Sequence, residues 1–171
     1  SCRMNAEFVV PPALQADEQA RIIEESRQVL SHHARSFRWA AQFLPKECHH
    51  DAALLYAFCR GIDDAVDEAS SVQEATHALA HLQHQLDTGV ASEPFMQAFL
   101  DMAKRRRLDL CYANELILGV RQDLEEVRLP NDQELLRYCY RVAGTVGLMM
   151  CAVLGVHHPL ARPYAVDLGI A

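Results

Sequence analysis

The sequence predicts an all-α fold in a single domain, and two observations lead to that prediction. Apolar residues recur at helical spacing in one segment after another, and no stretch keeps the alternation of apolar and polar residues that is typical of a strand. Proline, glycine and serine stand between these segments, where they end one helix and begin the next. At 171 residues the chain suits one sizeable core. We therefore expect seven or eight helices, several of them too apolar for surface helices.

The first half of the chain is predicted to lead into one long helix. Residues 1–16 form an irregular segment, because the pair Pro11-Pro12 stops a helix there. A helix opens near Asp17, and a short apolar element covers residues 36–44. Pro45 suits the first helical position of the long helix that follows, since proline lacks an N–H that this position would not use.

The later helices are marked by their end signals. Ser71 and Glu74 form a capping-box pattern, Gly89 ends a helix, and Asp132 suits an N-cap. These signals predict helices at residues 71–87, 93–107, 112–126, 132–156 and from 161 onward.

The net charge and the composition exclude some classes of function. The net charge is −7 and no basic stripe stands out, which argues against a nucleic acid partner. The densest basic run, residues 104–107, is interpreted as a solvated helix end, with a contact to anionic lipid or diphosphate as the sharper alternative. Six cysteines without a CxxC pair, and no signal-peptide pattern, predict a reduced, cytoplasmic protein. No apolar run reaches the length of a membrane-spanning helix.

An acidic run at the end of the long helix is the main candidate site. In a helix, Asp63 and Asp67 lie one turn apart on one face, separated by about 6 Å. Arg60 and then Tyr56 precede them on that face, while Asp64 points about 100° away. The stacked carboxylates repel each other, and the apolar stretch of residues 52–58 predicts a buried helix, in which unpaired acids are unfavourable.

A divalent cation relieves this repulsion. Mg²⁺ binds one or two protein carboxylates and completes its shell with water and substrate phosphates. The run therefore predicts a Mg²⁺–diphosphate site at Asp63 and Asp67, with Mn²⁺ as the alternative cation. The competing interpretation is an exposed acidic helix end that pairs with lysine or arginine.

Three weaker features accompany the acids. Ser36, beside basic residues at a helix start, predicts either an anion site or an ordinary N-cap. Gly119 shares a helix face with Asp123, so a group could approach that carboxylate closely, although a surface aspartate explains the pattern equally well. Tyr138, Val142, Val146 and Met149 share one face of a glycine-containing helix. That face predicts either an apolar tunnel or close helix packing.

Taken in order, these segments resemble the squalene/phytoene synthase family, whose members condense two prenyl diphosphates head to head. The resemblance covers residues 26–171. It rests on Ser36-Phe37, Phe43-Leu44-Pro45, the stretch 55–67 with its DxxxD, the stretch 119–123, and the stretch 138–147.

The resemblance implies an isoprenoid-synthase-type helical bundle around a central cavity, with residues 17–171 as the N-terminal portion of one domain. It implies Mg²⁺ at Asp63 and Asp67 and substrate farnesyl or geranylgeranyl diphosphate, with NADPH used only in a squalene-type reaction. The implied roles of the other residues are diphosphate contact (Arg60, Ser36), the reaction centre (Asp123, Tyr138) and the prenyl tunnel (Val142, Val146, Gly147), with Tyr56 beside the substrate.

The family carries a second aspartate-rich motif on a later helix. The sequence stops at residue 171, in what resembles the lead-in to that helix. We therefore expect that the C-terminal part is missing and that the 171 residues alone are inactive.

Two alternatives remain open. The product could be squalene or a hopanoid precursor instead of phytoene. The chain could also belong to a non-catalytic branch that binds partners or assembles respiratory complexes, although such a protein has no need of the intact Asp63 and Asp67. A greasy product also predicts peripheral membrane contact.

Overall fold

The computed structural model describes residues 43–124, 133–134, 137 and 140–156. Residues 43–124 and 140–156 form five α-helices and one π-helical segment, residues 133, 134 and 137 are also helical, and no strand occurs in the described part of the chain, so the all-α prediction is confirmed. The α-helices are α1 (Lys46–Asp67), α2 (Val72–Thr88), α3 (Pro94–Arg106), α4 (Leu110–Leu124) and α5 (Thr145–Val153), and the π-helical segment is Tyr140–Gly144. The helices expected between residues 17 and 42 and from 161, and the cap expected at Asp132, lie outside the described residues; residues 43 and 44, the end of the element expected at 36–44, form a turn and a bend and not a helix.

The helix ends follow the local signals with small changes. The Ser71 hydroxyl accepts the backbone N–H of Glu74 at 3.1 Å and caps α2. The Glu74 carboxylate reaches back to the N–H of Ser70, at 3.0 Å, where a capping box would use Ser71. Gly89 ends α2 in the left-handed conformation at φ 72°. Pro45 stands just before α1 and not inside it, so its predicted place was wrong by one residue.

Helix α1 lies at the centre of the described fold and contacts α2, α3 and α5. Leu55, Phe58 and Ile62 on its inner face are fully buried. The Phe58 ring stacks on Phe99 of α3, with ring centroids 3.9 Å apart and planes at 11°. This apolar packing holds the acidic end of α1 in place, because buried aromatic pairs contribute both area and specific geometry.

A buried carboxylate joins the start of α1 to the end of α3. Asp51 is 3% exposed and accepts hydrogen bonds from Arg105 (Nη2–Oδ1 2.7 Å, Nη1–Oδ2 3.2 Å) and Arg106 (Nε–Oδ2 2.6 Å). The hydrogen bond from Arg105 is the largest cause that lowers the pKa of Asp51. The basic run at 104–107 is therefore not simply a solvated helix end: two of its arginines neutralise an acid 54 and 55 residues away.

The helix predicted at 132–156 is not uniform. Residues 140–144 are π-helical, and α5 begins only at Thr145. At this point Arg141 donates to Glu115 (2.9 Å) and Gln122 (3.2 Å) of α4. The change of helix type occurs where this stretch is tied to α4, which is the kind of place where π-bulges are found.

The cysteines depart from expectation at one position. Cys48, Cys59 and Cys151 are free, but Cys111 is disulfide-bonded. The expectation of reduced cysteines was wrong at Cys111, because a disulfide depends on proximity in the fold, which spacing along the chain does not reveal. None of the helices in the described part of the chain has the length and apolar character needed to cross a bilayer.

Candidate metal and diphosphate site

Asp63 and Asp67 lie in the last two turns of α1, on its flank. The helix carries both from the same apolar core segment, so their backbone positions are fixed by the packing of Phe58 and Ile62. Asp63 is half-buried and Asp67 is exposed. This is the one-above-the-other arrangement that the i, i+4 spacing predicts.

The electrostatics of Asp63 are those of an acid without enough positive charge nearby. Burial first, and then the negative charge of Asp67, raise the pKa of its carboxyl to about 6, with Arg60 opposing this shift and Asp64 adding to it. One turn earlier, burial and then the charge of Asp63 raise the pKa of the Cys59 thiol to about 12. Cys59 therefore stays a neutral, apolar neighbour, and Asp63 would gain from a bound cation.

Arg60 forms an ion pair with Asp64, and its charge also acts on Asp63. The spacing placed Arg60 on the face of Asp63, and its Nε atom lies 3.1 Å from Oδ1 of Asp64 in an ion pair. An arginine side chain is long enough to reach an acid one full turn onward, and the i, i+4 spacing favours such a pair. Both side chains are partly exposed, 46% for Arg60 and 39% for Asp64.

A cleft of about 550 Å³ lies between α1, α2 and the start of α3. Tyr56, Arg60 and Asp64 line its α1 side, and the ring of Phe95 covers Gly61. A Cβ atom at position 61 would lie 2.4 Å from that ring, so only glycine admits it in this position. The rest of the lining is formed by Ala57, Ala65, Glu68, Ala78, His81, Leu82 and Glu93.

The cleft divides the acidic run into two sets. Asp64 and Glu68 line the cleft, and Asp63 and Asp67 are not among its lining residues in the described part of the chain. The sequence did not predict this cleft. The feature of the sequence that could have indicated the cleft is the i, i+4 pair of Arg60 and Asp64, since both residues line it.

The remaining predicted site residues lie in α4, the π-helical segment and α5. Asp123 is half-buried near the end of α4. Val142 is buried at 1% exposure, and its Cγ2 would lie 3.2 Å from a Cβ added at Gly119. Val146 packs against the main core, and Gly147 follows it in α5. Ser36 and Tyr138 lie outside the described residues.

The structure shows which group approaches the helix face at Gly119. A Cβ atom there would lie 2.7 Å from Cβ of Arg141 and 3.3 Å from its backbone carbon. The group that approaches this glycine is therefore the π-helical segment, and Gly119 serves close helix packing. The roles of Asp123 and Val142 toward a substrate stay predictions.

The two carboxylates fit a hard divalent cation. Mg²⁺ and Mn²⁺ prefer oxygen ligands, and Asp63 and Asp67 offer these one turn apart. Across residues 43–124 and the shorter stretches described, no three or more His, Cys, Asp or Glu side chains converge as a metal site. Mg²⁺ commonly binds one or two protein carboxylates and completes its shell with water and phosphate oxygens.

Comparison with known proteins adds three findings. The family model described as "Squalene/phytoene synthase" matches residues 30–171. The chain is 34% identical to a phytoene synthase of Arthrospira platensis over 93% of its length, and 32% identical to one of Mycobacterium bovis over 90%. The solved structure of a dehydrosqualene synthase in complex with a ligand matches 90% of the chain, with a TM-score of 0.64 and 26% identity.

The matched proteins are longer than this sequence. The chain covers 52% of the Arthrospira platensis protein, 51% of the Mycobacterium bovis protein and 54% of the dehydrosqualene synthase chain. It therefore spans about half the length of the relatives it matches. The structural match also confirms the isoprenoid-synthase type of helical fold that the sequence predicts.

Proposed function

The chain belongs to the squalene/phytoene synthase family, and on that premise we propose that the protein condenses two prenyl diphosphates head to head. The first step forms a cyclopropylcarbinyl diphosphate with loss of one diphosphate and one proton, and the second step loses the other diphosphate, rearranges the carbon skeleton and releases a second proton to give the hydrocarbon. Because the relatives named above are phytoene synthases, geranylgeranyl diphosphate is the proposed substrate and farnesyl diphosphate the alternative.

The observation that carries the proposal is the Asp63–Asp67 pair on a core helix. Asp63 is half-buried, and burial together with Asp67 raises its pKa to about 6, so it is poised to exchange a proton for a metal ion near neutral pH. Asp63 and Asp67 would hold Mg²⁺, which when bound neutralises diphosphate and draws off the leaving group.

The chain's own residues supply the rest of the proposed chemistry. Arg60 offers its guanidinium to diphosphate oxygens, a geometry in which arginine binds two oxygens at once. The half-buried, neutral Cys59 and the fully buried Phe58 keep water from the inner side of the acidic run. A dry wall of this kind protects a carbocation from capture by water.

An activity assay on the full-length protein tests this function. Purified protein is incubated with geranylgeranyl or farnesyl diphosphate, with Mg²⁺, Mn²⁺ or EDTA, and with or without NADPH, and the hydrocarbons are extracted and separated. We expect phytoene with a divalent cation, none with EDTA, and no change on adding NADPH. Absence of any hydrocarbon product from either substrate would refute the proposal.

Variants connect the activity to the two acids. Asp63→Asn and Asp67→Asn should each reduce kcat about a hundredfold or more, since metal stabilisation of a leaving group supplies several kcal/mol. Asp87→Asn is the matched control, because Asp87 is exposed at the end of α2. Equal activity of Asp63→Asn and Asp87→Asn would contradict the assignment.

We also propose peripheral contact with a membrane on the cytoplasmic side. The product carries no diphosphate, so it leaves the protein more readily into lipid than into water. Co-sedimentation with vesicles that contain anionic lipid, and product release with and without vesicles, test this. A protein that stays in the supernatant and releases product equally fast without lipid would contradict it.

A further inference from the structure

Asp64 forms an ion pair with Arg60, and neither Asp63 nor Asp67 forms such a pair in the described part of the chain. We propose that Asp64 is a positioning residue, which holds Arg60 so that its guanidinium faces the substrate diphosphate, and that Asp64 is not a metal ligand. The inference rests on the proposed function, because it concerns how that site binds diphosphate.

The first argument is the atom that Arg60 uses. Its Nε is the atom that forms the ion pair with Asp64, 3.1 Å from Oδ1. Nε is the inner nitrogen of the guanidinium, and the two terminal amino groups form the outer edge. That outer edge can bind two phosphate oxygens in parallel. A carboxylate on Nε therefore orients the group without occupying the edge that diphosphate requires.

The second argument is the direction in which Asp64 points. Asp64 lines the cleft between α1, α2 and α3 together with Arg60 and Tyr56. Consecutive helical residues point about 100° apart, so Asp64 diverges from Asp63 and does not converge with Asp63 and Asp67 on one ion. The run of acids thus contains a metal-facing pair and a separate partner for the arginine.

The third argument concerns the number of rotamers that the Arg60 side chain can adopt. Arg60 is 46% exposed, and an exposed arginine without a partner samples many rotamers. Diphosphate binding would have to restrict these rotamers, which weakens binding. Removal of the Asp64 carboxylate should therefore weaken diphosphate binding by about three- to tenfold.

Electrostatics alone predicts the opposite sign. Asp64 is negative and lies close to where an anion would bind, so its removal should tighten diphosphate binding if charge were its only effect. The sign of the change in affinity therefore separates the positioning role from a nearby charge.

The experiment measures binding of inorganic pyrophosphate with Mg²⁺ to the full-length protein by calorimetry. Asp64→Ala should raise Kd about three- to tenfold, and Asp64→Asn, which keeps an oxygen for Nε, should recover part of the loss. Glu68→Gln is the matched control, since it removes an exposed acid of the same cleft and should leave Kd unchanged or lower it. An unchanged or lower Kd for Asp64→Ala would overturn the inference.

A double-mutant cycle identifies Arg60 as the intermediary. In an Arg60→Gln background, Asp64→Ala should no longer raise Kd, because the residue that it positions is gone. In steady-state assays Asp64→Ala should raise KM and leave the Mg²⁺ concentration for half activity unchanged, whereas Asp67→Asn should raise that concentration. A shift of the Mg²⁺ requirement by Asp64→Ala would assign it to the metal and refute positioning. Failure of the unaltered protein to bind Mg²⁺ with pyrophosphate would instead refute the proposed function, and this inference with it.

Discussion

Replacement of Asp51 by asparagine should destabilise the protein by about 2–3 kcal/mol. The carboxylate is 3% exposed and receives three hydrogen bonds from Arg105 and Arg106. Removal of one partner of a buried ion pair costs about 3–5 kcal/mol. The Arg105 and Arg106 side chains are 55% and 24% exposed and can turn to water, which places the expected loss below that range.

Urea unfolding followed by circular dichroism at pH 7 measures this loss. Asp101→Asn is the matched control, because Asp101 is exposed on the same helix one turn before Arg105. We expect a lower urea midpoint for Asp51→Asn with an unchanged slope, and a change within about 0.5 kcal/mol for the control.

The pH dependence provides an independent check. Arg105 and Arg106 hold the pKa of Asp51 below its usual range in the folded protein. The stability from this acid is therefore present above about pH 4 and is lost as the pH falls through the lowered pKa. The difference between wild type and Asp51→Asn should shrink below about pH 4. A loss under 1 kcal/mol at pH 7, or a difference that does not change with pH, would refute the reasoning.

Three further predictions concern the acidic run, the helix contact and a cap. Asp63→Asn should stabilise the metal-free protein by about 1 kcal/mol above pH 6 and by nothing near pH 4. The pKa of Asp63 is raised in the folded protein, so the contribution of this acid to stability is lost as the pH rises through about 6. Urea unfolding in EDTA at the two pH values measures the gain, and an equal gain at both would contradict the prediction. Gly119→Ala should destabilise by about 1–2 kcal/mol, since the new methyl group meets the backbone of Arg141, and an unchanged thermal midpoint would contradict that contact. Ser71→Ala should cost about 1 kcal/mol through the lost cap on the Glu74 N–H, measured by urea unfolding with Ser71→Asp as the variant that restores it.

Local rules predicted α1 and its acidic end well. The apolar stretch, the proline before it and the i, i+4 acids are all short-range signals, and the structure places Asp63 and Asp67 one turn apart as expected. The partner of Arg60 was harder to predict. Acids stand both three and four residues after it, and spacing alone does not decide which of the two an arginine contacts.

The features that escaped prediction depend on contacts between distant segments. The burial of Asp51 was not predicted, because its partners Arg105 and Arg106 come together with it only through the packing of α3 on α1. The cleft beside Arg60 likewise requires α2 and the start of α3 to meet α1. No pattern within one helix carries that information.

The number of residues in the π-helical segment at Tyr140–Gly144 determines which face of α5 meets α1. A π turn accommodates one more residue than an α turn, so the residues after it are rotated by about 100° relative to a continuous α-helix. Val142, within the segment, lies against Gly119 of α4, whereas Met149, after it, is buried in the core that contains α1. Loss of one residue here would turn the face of α5 that meets α1 without altering any side chain in α5. An insertion or deletion in this segment would therefore change which side chains of α5 face α1, an effect that a substitution within α5 does not produce.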